Sequence, residues 1–183
     1  MNKNTISKWF SMFVLMMVAG ITGATAQSLA VADFGLEQGE TKEVAINLAI
    51  PEGQTIYGVQ TDIVLSEGLS LENAVAADAN LHFAKNTLTG GATRVALVSL
   101  AGASIPAGDA IKLTVKAAND FEGGTLTLSN TKLTTTTAGA EINLADSVTT
   151  IEKIVFVPVL TDGTYYFQNV ASQKFLAAGD SWG

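Results

Sequence analysis

Apolar and polar residues alternate along much of the chain, in short segments that are typical of β-strands with one buried face. In one such segment the apolar residues Val44, Ile46 and Leu48 fall on the same face. Because an alternating segment buries one whole side only when it is extended, each of these segments is predicted to be a strand. The predicted strands are Lys42–Ile50, Tyr57–Leu65, Thr93–Leu100, Ala110–Ala117 and Thr125–Leu133.

Turn-forming residues separate the predicted strands at short and fairly regular intervals. Examples are Pro51-Glu52-Gly53 and the run from Pro106 to Asp109. Intervals this short leave no room for crossover helices, so the strands are expected to pair antiparallel. The sequence therefore predicts an all-β fold, an antiparallel sandwich or barrel. The alanine-rich stretch Leu71–Leu81 is the one ambiguous segment and is compatible with a helical turn.

The segment Tyr57–Leu65 carries a polar pair on one of its faces. Val59 and Thr61 belong to the face that is predicted to be buried. Gln60 and Asp62 alternate with them and are predicted to point away from that face.

The first 26 residues have the pattern of a secretory signal peptide. Lys3 and Lys8 precede the apolar run Phe10–Val18, and Ala24-Thr25-Ala26 places small residues before a cleavage site. The alternative is an uncleaved membrane anchor, but the apolar run is shorter than the ~20 residues that a spanning helix needs. We expect a bacterial protein that is secreted or held at the cell surface, with no membrane contact after cleavage.

Charge and composition exclude several classes of partner. The chain of 183 residues has a formal net charge of −7, and loss of the two lysines of the leader makes the remainder more acidic. Arg94 is the only arginine. Nucleic-acid and anionic-lipid binding are not expected, because both need clustered basic residues. The chain has no cysteine, which excludes disulfides and thiolate chemistry.

Catalytic and metal-binding patterns are weak, so the sequence predicts no enzyme, no cofactor and no metal site. His82 is the only histidine, and a loop or strand-edge position is the simplest interpretation of it. The acidic residues are plentiful and are best interpreted as solvated side chains, although a glycosidase pair would need only two of them. The carboxylates considered for such a pair are Glu40, Glu43, Asp62, Glu67 and Glu72. Those considered for calcium in turns are Asp78, Asp109, Asp120 and Asp162.

The chain changes in character near its C-terminal end. Residues 154–160 are predicted to be a linker or a last strand, and residues 161–183 a fragment of a second module. That fragment is rich in aromatic residues. Tyr165, Tyr166 and Trp182 are candidates for stacking on sugar rings.

Several motifs follow one another between Ser28 and Lys153. They are Gly39-Glu40-Thr41 leading to Val44-x-Ile46-x-Leu48, Gly58–Leu65 followed by Gly68-Leu69, Arg94–Ser99 followed by Pro106-x-Gly108, the strand Ile111–Val115, and Leu126-x-Leu128-Ser129. Their order and spacing resemble the cohesin-like domains of a superfamily shared with certain carbohydrate-binding modules. Residues 161–183, from Gly163-Thr164-Tyr165-Tyr166 to Ser181-Trp182-Gly183, resemble the opening of a ricin-type β-trefoil.

The resemblance implies a jelly-roll β-sandwich of about nine strands over residues 27–153, with a non-catalytic role outside the cell. In cohesins one sheet face binds a dockerin module, and a polar pair on a central strand contributes contacts. Gln60 and Asp62 match that pair and are the predicted partner-binding residues. The expected partner is a dockerin-like protein module or a polysaccharide, in a polysaccharide-degrading or cell-surface setting. The alternatives are a carbohydrate-binding module that acts through aromatic stacking and a structural spacer of a longer surface protein.

Overall fold

The computed structural model describes residues 26–100, 102–136 and 138–155, and this part of the chain contains strands and turns but no helix. All five predicted segments are strands in the structure. Turns between them are tight, as at Gly39, where a φ of 75° favours glycine. The strands are β1 (Ser28–Ala30), β2 (Phe34–Leu36), β3 (Thr41–Ala49), β4 (Gly58–Leu65), β5 (Leu69–Ala76), β6 (His82–Thr87), β7 (Thr93–Val98), β8 (Gly108–Ala117), β9 (Gly124–Thr134), β10 (Glu141–Asn143) and β11 (Ser147–Lys153).

The strands form two sheets that pack face to face as a jelly-roll β-sandwich. The four-stranded sheet has the order β1-β3-β8-β5. The seven-stranded sheet has the order β2-β11-β9-β4-β7-β6, with β10 added beside β9. Neighbouring strands are antiparallel except β2 and β11, which run parallel. The predicted fold class is confirmed, and the short strands at the margins bring the count to eleven.

The hydrophobic core lies between the sheets and consists of the inward side chains that the alternation predicted. Burying one such aliphatic side chain contributes about 1.5–3 kcal/mol relative to leaving it in water. Phe121, in the turn between β8 and β9, is also buried and closes one end of the core. The central core residues are Ile46, Leu48, Val59, Ile63, Val95, Leu97, Ile111, Leu113, Val115, Leu126, Leu128 and Leu133.

Six strands lie outside the five predicted segments, and β5 and β11 show why alternation missed them. The stretch Leu71–Leu81 is not helical, because strand β5 runs through to Ala76 and a turn follows it. A bulge between Leu71 and Asn73 shifts the alternation there by one residue. Strand β11 was not predicted, because its inward residues include the polar Thr149, which bonds to the Val31 carbonyl oxygen at 2.8 Å.

A second bulge shapes the centre of the seven-stranded sheet. The pairing of β4 with β9 shifts between Gln60 and Asp62, and Asn130 adopts a φ of 49° on the opposing strand. Beneath the bulge the hydroxyl groups of Thr61 and Thr131 are buried and lie 2.8 Å apart. This buried pair joins the two strands at the position where Asn130 turns outward.

Several predictions concern residues that the structure does not describe. They are the signal peptide, most of the linker at 154–160, and the second module with its trefoil-like opening and its ring-stacking candidates Tyr165, Tyr166 and Trp182. Ile154 and Val155 are described and continue β11 without belonging to a strand. Within the described ranges no helix is long and apolar enough to span a membrane.

Candidate functional site

The solvent-facing side of the seven-stranded sheet is a continuous surface, which we call the outer face. Alternation along β4, β7, β9 and β11 places every second side chain on it, because successive residues of a strand point to opposite sides. The outer face includes Gln60, Asp62 and Val64 from β4, Arg94, Ala96 and Val98 from β7, Thr125, Thr127, Ser129 and Lys132 from β9, and Val148 and Thr150 from β11. At its edge, His82, Ala84 and Asn86 of β6 pair with Val98, Ala96 and Arg94.

A charged cluster occupies the centre of the outer face. Asp62 lies directly opposite Arg94 in the pairing of β4 with β7, and only 3% of the aspartate is exposed. The Arg94 Nε atom donates to Asp62 Oδ1 at 2.6 Å, and Nη2 donates to Oδ2 at 2.8 Å. The Asn130 amide donates to Oδ2 at 3.0 Å. The carboxylate is therefore held by three hydrogen bonds from two side chains.

The pairing keeps both groups ionised. The hydrogen bonds from Arg94 hold the pKa of Asp62 below its ordinary value, although burial acts in the opposite direction. The bond from Asn130 and the positive charge of Arg94 lower this pKa further. The same hydrogen bonds raise the pKa of Arg94. A general acid at neutral pH needs a raised carboxyl pKa, so Asp62 is unsuited to that role.

A polar cleft of about 480 Å³ opens beside this cluster. Amide, hydroxyl and charged groups form most of its wall, and no aromatic ring contributes to it. Sugar-binding sites commonly stack an aromatic ring on the sugar, and this cleft offers none. It is lined by Gln60, Arg94, Asn130, Thr131, Lys132, Asn143, Leu144 and Asp146.

Exposed valines flank the polar centre of the outer face. Val64 and Val148 lie on either side of Thr127 in one row across three strands, and they are 41% and 63% exposed. Val98 lies on the far side of the cluster and is 39% exposed. The outer face therefore carries exposed apolar side chains on both sides of its polar centre.

The solvent-facing side of the four-stranded sheet has a different character. Its corresponding central row is Glu43, Thr114 and Asn73, across β3, β8 and β5. Glu43 pairs with Lys112 at 3.4 Å, and both side chains are well exposed. An exposed pair of this kind contributes little to stability and stays hydrated. Among the exposed large hydrophobic residues, this side carries Val75, which is 42% exposed, whereas the outer face carries Val64, Val98 and Val148.

The structure places the predicted partner-binding pair, Gln60 and Asp62, on the outer face. The two residues differ in access, since Gln60 is partly exposed at the cleft whereas Asp62 is buried under Arg94. Sequence reasoning missed Arg94 and Asn130 as members of the site. The one available signal for Arg94 was its outward position as the sole arginine on a predicted strand.

The other candidate residues are not brought together. Glu43 and Glu72 lie on the four-stranded sheet, and Glu72 accepts a hydrogen bond from Ser70. His82 lies exposed at the beginning of the edge strand β6. Asp78 accepts hydrogen bonds from the backbone and side chain of Asn80, a local turn. In the described ranges no group of three or more His, Cys, Asp or Glu residues is placed to hold a metal ion.

Comparison with known proteins bears on the fold. No family model and no curated protein matches the chain. Among solved structures, a cohesin module from a Clostridium perfringens family 33 glycoside hydrolase is similar, with a TM-score of 0.58 and 17% identity, over 73% of this chain and all of that one. The sixth cohesin of Acetivibrio cellulolyticus scaffoldin B, solved with the Cel5 dockerin, has a TM-score of 0.58 and 10% identity over 71% and 100%.

A third neighbour is the Clostridium thermocellum Coh-OlpC–Doc435 complex, a type I cohesin–dockerin pair, with a TM-score of 0.56 and 15% identity over 74% and 99%. Similarity at these low identities establishes that the chain has the fold of cohesin modules. The predicted resemblance to cohesin-like domains is confirmed at the level of structure. These neighbours do not support the trefoil-like opening.

Proposed function

We propose that this chain is a secreted, non-catalytic binding module whose outer face docks a protein partner of the dockerin kind. One observation carries the proposal, namely that three exposed valines flank a hydrogen-bonded polar centre on the seven-stranded sheet, whereas the outward face of the four-stranded sheet carries one, Val75. Protein interfaces commonly have this anatomy, with apolar contact area and a few oriented polar groups. The expected setting is the cell surface or a polysaccharide-degrading assembly.

The outer face is built to bind without rearranging. Its side chains project from paired strands, and the Asp62–Arg94–Asn130 cluster is already hydrogen-bonded. A preformed surface loses little conformational entropy on association, so more of the contact energy is available as affinity. A stable complex buries about 800 Å² on each partner, which a sheet face of several paired strands can supply.

Two features support a protein rather than a sugar as the partner. The Acetivibrio and C. thermocellum neighbours are described in complexes with dockerins. The cleft on the outer face has no aromatic platform. Secretion rests on the signal-like pattern of residues 1–26.

The proposal is tested by capture of secreted proteins from the source culture, followed by binding of the purified captured protein. Two matched variants locate the contact. Thr127→Arg places a long charged side chain between Val64 and Val148, whereas Thr114→Arg places the same side chain at the centre of the other sheet. We expect capture to fail with Thr127→Arg and to persist with Thr114→Arg.

Other outcomes would contradict the proposal. Capture that survives Thr127→Arg, or that is lost with Thr114→Arg, would move the contact away from the outer face. Retention on insoluble polysaccharide without capture of any protein would favour a carbohydrate-binding module. Failure of both assays would favour a spacer domain.

A further inference from the structure

We infer that Arg94, rather than Asp62, is the residue through which the centre of the outer face recognises its partner, and that the partner presents a carboxylate to it. This inference rests on the proposed docking function and specifies the chemistry of the docking contact. It follows from a comparison of the hydrogen-bonding groups that are already paired within the cluster with those that still face solvent.

Asp62 is covered, and three of the roughly four acceptor sites of its carboxylate are already used. Each of its oxygens accepts a short hydrogen bond from Arg94, and Oδ2 accepts a second bond from Asn130. The side chain is 4% exposed, so an incoming hydroxyl or ammonium group could reach it only after Arg94 moved away. That movement would leave a buried carboxylate with one hydrogen bond, which is costly.

Arg94 has the opposite balance. A guanidinium group carries five N–H donors, and Asp62 takes one from Nε and one from Nη2. Within the described ranges the side chain makes no other hydrogen bond, and 41% of it is exposed. The edge formed by Nη1 and Nη2 therefore remains for an external group. That edge consists of donors alone, so the group that fits it must be an acceptor.

A carboxylate is the acceptor that matches this edge. Its two oxygens receive two parallel N–H donors, which adds orientation as well as energy. Asp62 holds the guanidinium plane through its adjacent Nε/Nη2 edge, so little side-chain freedom remains to be lost on binding. Lys132 lines the same cleft and carries a positive charge, and its ammonium group donates to Glu141 at 3.1 Å. Asp146, on the cleft wall, carries a negative charge. The charges around the cleft largely cancel, so the cleft selects a carboxylate by the geometry of the Arg94 donors more than by net charge.

The sole arginine makes a direct test possible. The full chain labelled with ¹⁵N-arginine has its guanidinium NMR signals from Arg94 alone. Sodium acetate is the probe, with acetamide as its neutral counterpart, sodium chloride as the ionic-strength control and N-acetylarginine amide as the unstructured reference. We expect a saturable shift of the Nη signals with acetate, at least about tenfold tighter than for the reference, and no such shift with acetamide. A response to acetate no stronger than that of the reference would overturn the inference.

Substitution distinguishes this inference from the docking proposal itself. Arg94→Lys keeps the charge and removes the two-donor edge, so binding of the captured protein is expected to weaken about tenfold or more. Circular dichroism and urea unfolding would establish that the variant is folded. Binding that is lost with Thr127→Arg but unchanged with Arg94→Lys would refute the role of Arg94 and leave the docking face intact. Binding that is insensitive to Thr127→Arg would instead refute the docking face.

Discussion

The buried threonine pair beneath the outer face allows a prediction that depends on the direction of its hydrogen bonds. Thr61 and Thr131 are 0% and 2% exposed, and their hydroxyl oxygens lie 2.8 Å apart. The Thr61 hydroxyl also donates to the Ser129 carbonyl oxygen at 3.3 Å. Because Thr61 has a single hydroxyl proton and directs it to Ser129, we infer that Thr131 is the donor within the pair.

The two Thr→Val substitutions are therefore unequal, although they change the same atoms. Thr131→Val removes one hydrogen bond and leaves Thr61 bonded to Ser129, at a cost of about 0.5–1.5 kcal/mol. Thr61→Val leaves the Thr131 hydroxyl buried without a partner, at a cost of about 1–3 kcal/mol. The double variant removes both hydroxyls and is expected to cost less than Thr61→Val alone, because no orphaned hydroxyl remains. The expected coupling is about 1–2 kcal/mol.

Urea unfolding followed by circular dichroism measures all four free energies of the cycle, with equal m-values as the check on two-state behaviour. Thr149→Val is the matched control, since Thr149 bonds only to a backbone carbonyl and its cost should add to that of Thr61→Val. Additive costs for Thr61→Val and Thr131→Val, or a larger cost for Thr131→Val, would refute the assigned bond directions.

Two further predictions concern acid stability and the open sheet edge. Because the pKa of Asp62 is lowered by folding, its contribution to stability is complete above the unfolded pKa of about 3.9 and is lost as the pH falls through the lower folded pKa. Asp62→Asn should therefore flatten the acid side of a plot of urea midpoint against pH, and an unchanged acid slope would contradict this. Lys85 lies on the edge strand β6 and reaches Asn73 of the other sheet at 2.9 Å. Lys85→Val should cause self-association on size-exclusion chromatography, because edge lysines block strand pairing, whereas Lys116→Val on the central strand β8 should not.

The strands that were predicted and those that were missed differ in the regularity of their alternation. Strand β4 alternates regularly, with Val59 and Ile63 among its inward residues, so it could be predicted from the sequence. Strand β5 was missed because its bulge places two consecutive residues, Glu72 and Asn73, outside the core, which breaks the period of two. The alternation of a strand reports burial only while the pairing stays in register.

The candidate site was predicted in part. Alternation correctly placed Gln60 and Asp62 on the outward side of β4, and their role as partner contacts stays a prediction. Nothing local to Asp62 indicated that its carboxylate would be covered. Arg94 is distant in sequence and meets Asp62 only through the register of β4 against β7. Asn130 meets it through the bulge against β9.

The sequence by itself determined the strands whose alternation is regular, which of their faces are buried and where the chain turns between them. These properties depend on neighbouring residues, since alternation and turn chemistry act over a few positions. The tertiary structure alone decided that Arg94 covers Asp62, that Thr61 bonds to Thr131, and that Val64, Val98 and Val148 share one sheet face. Strand order and register create those contacts, and they depend on the packing of the whole core rather than on any one segment.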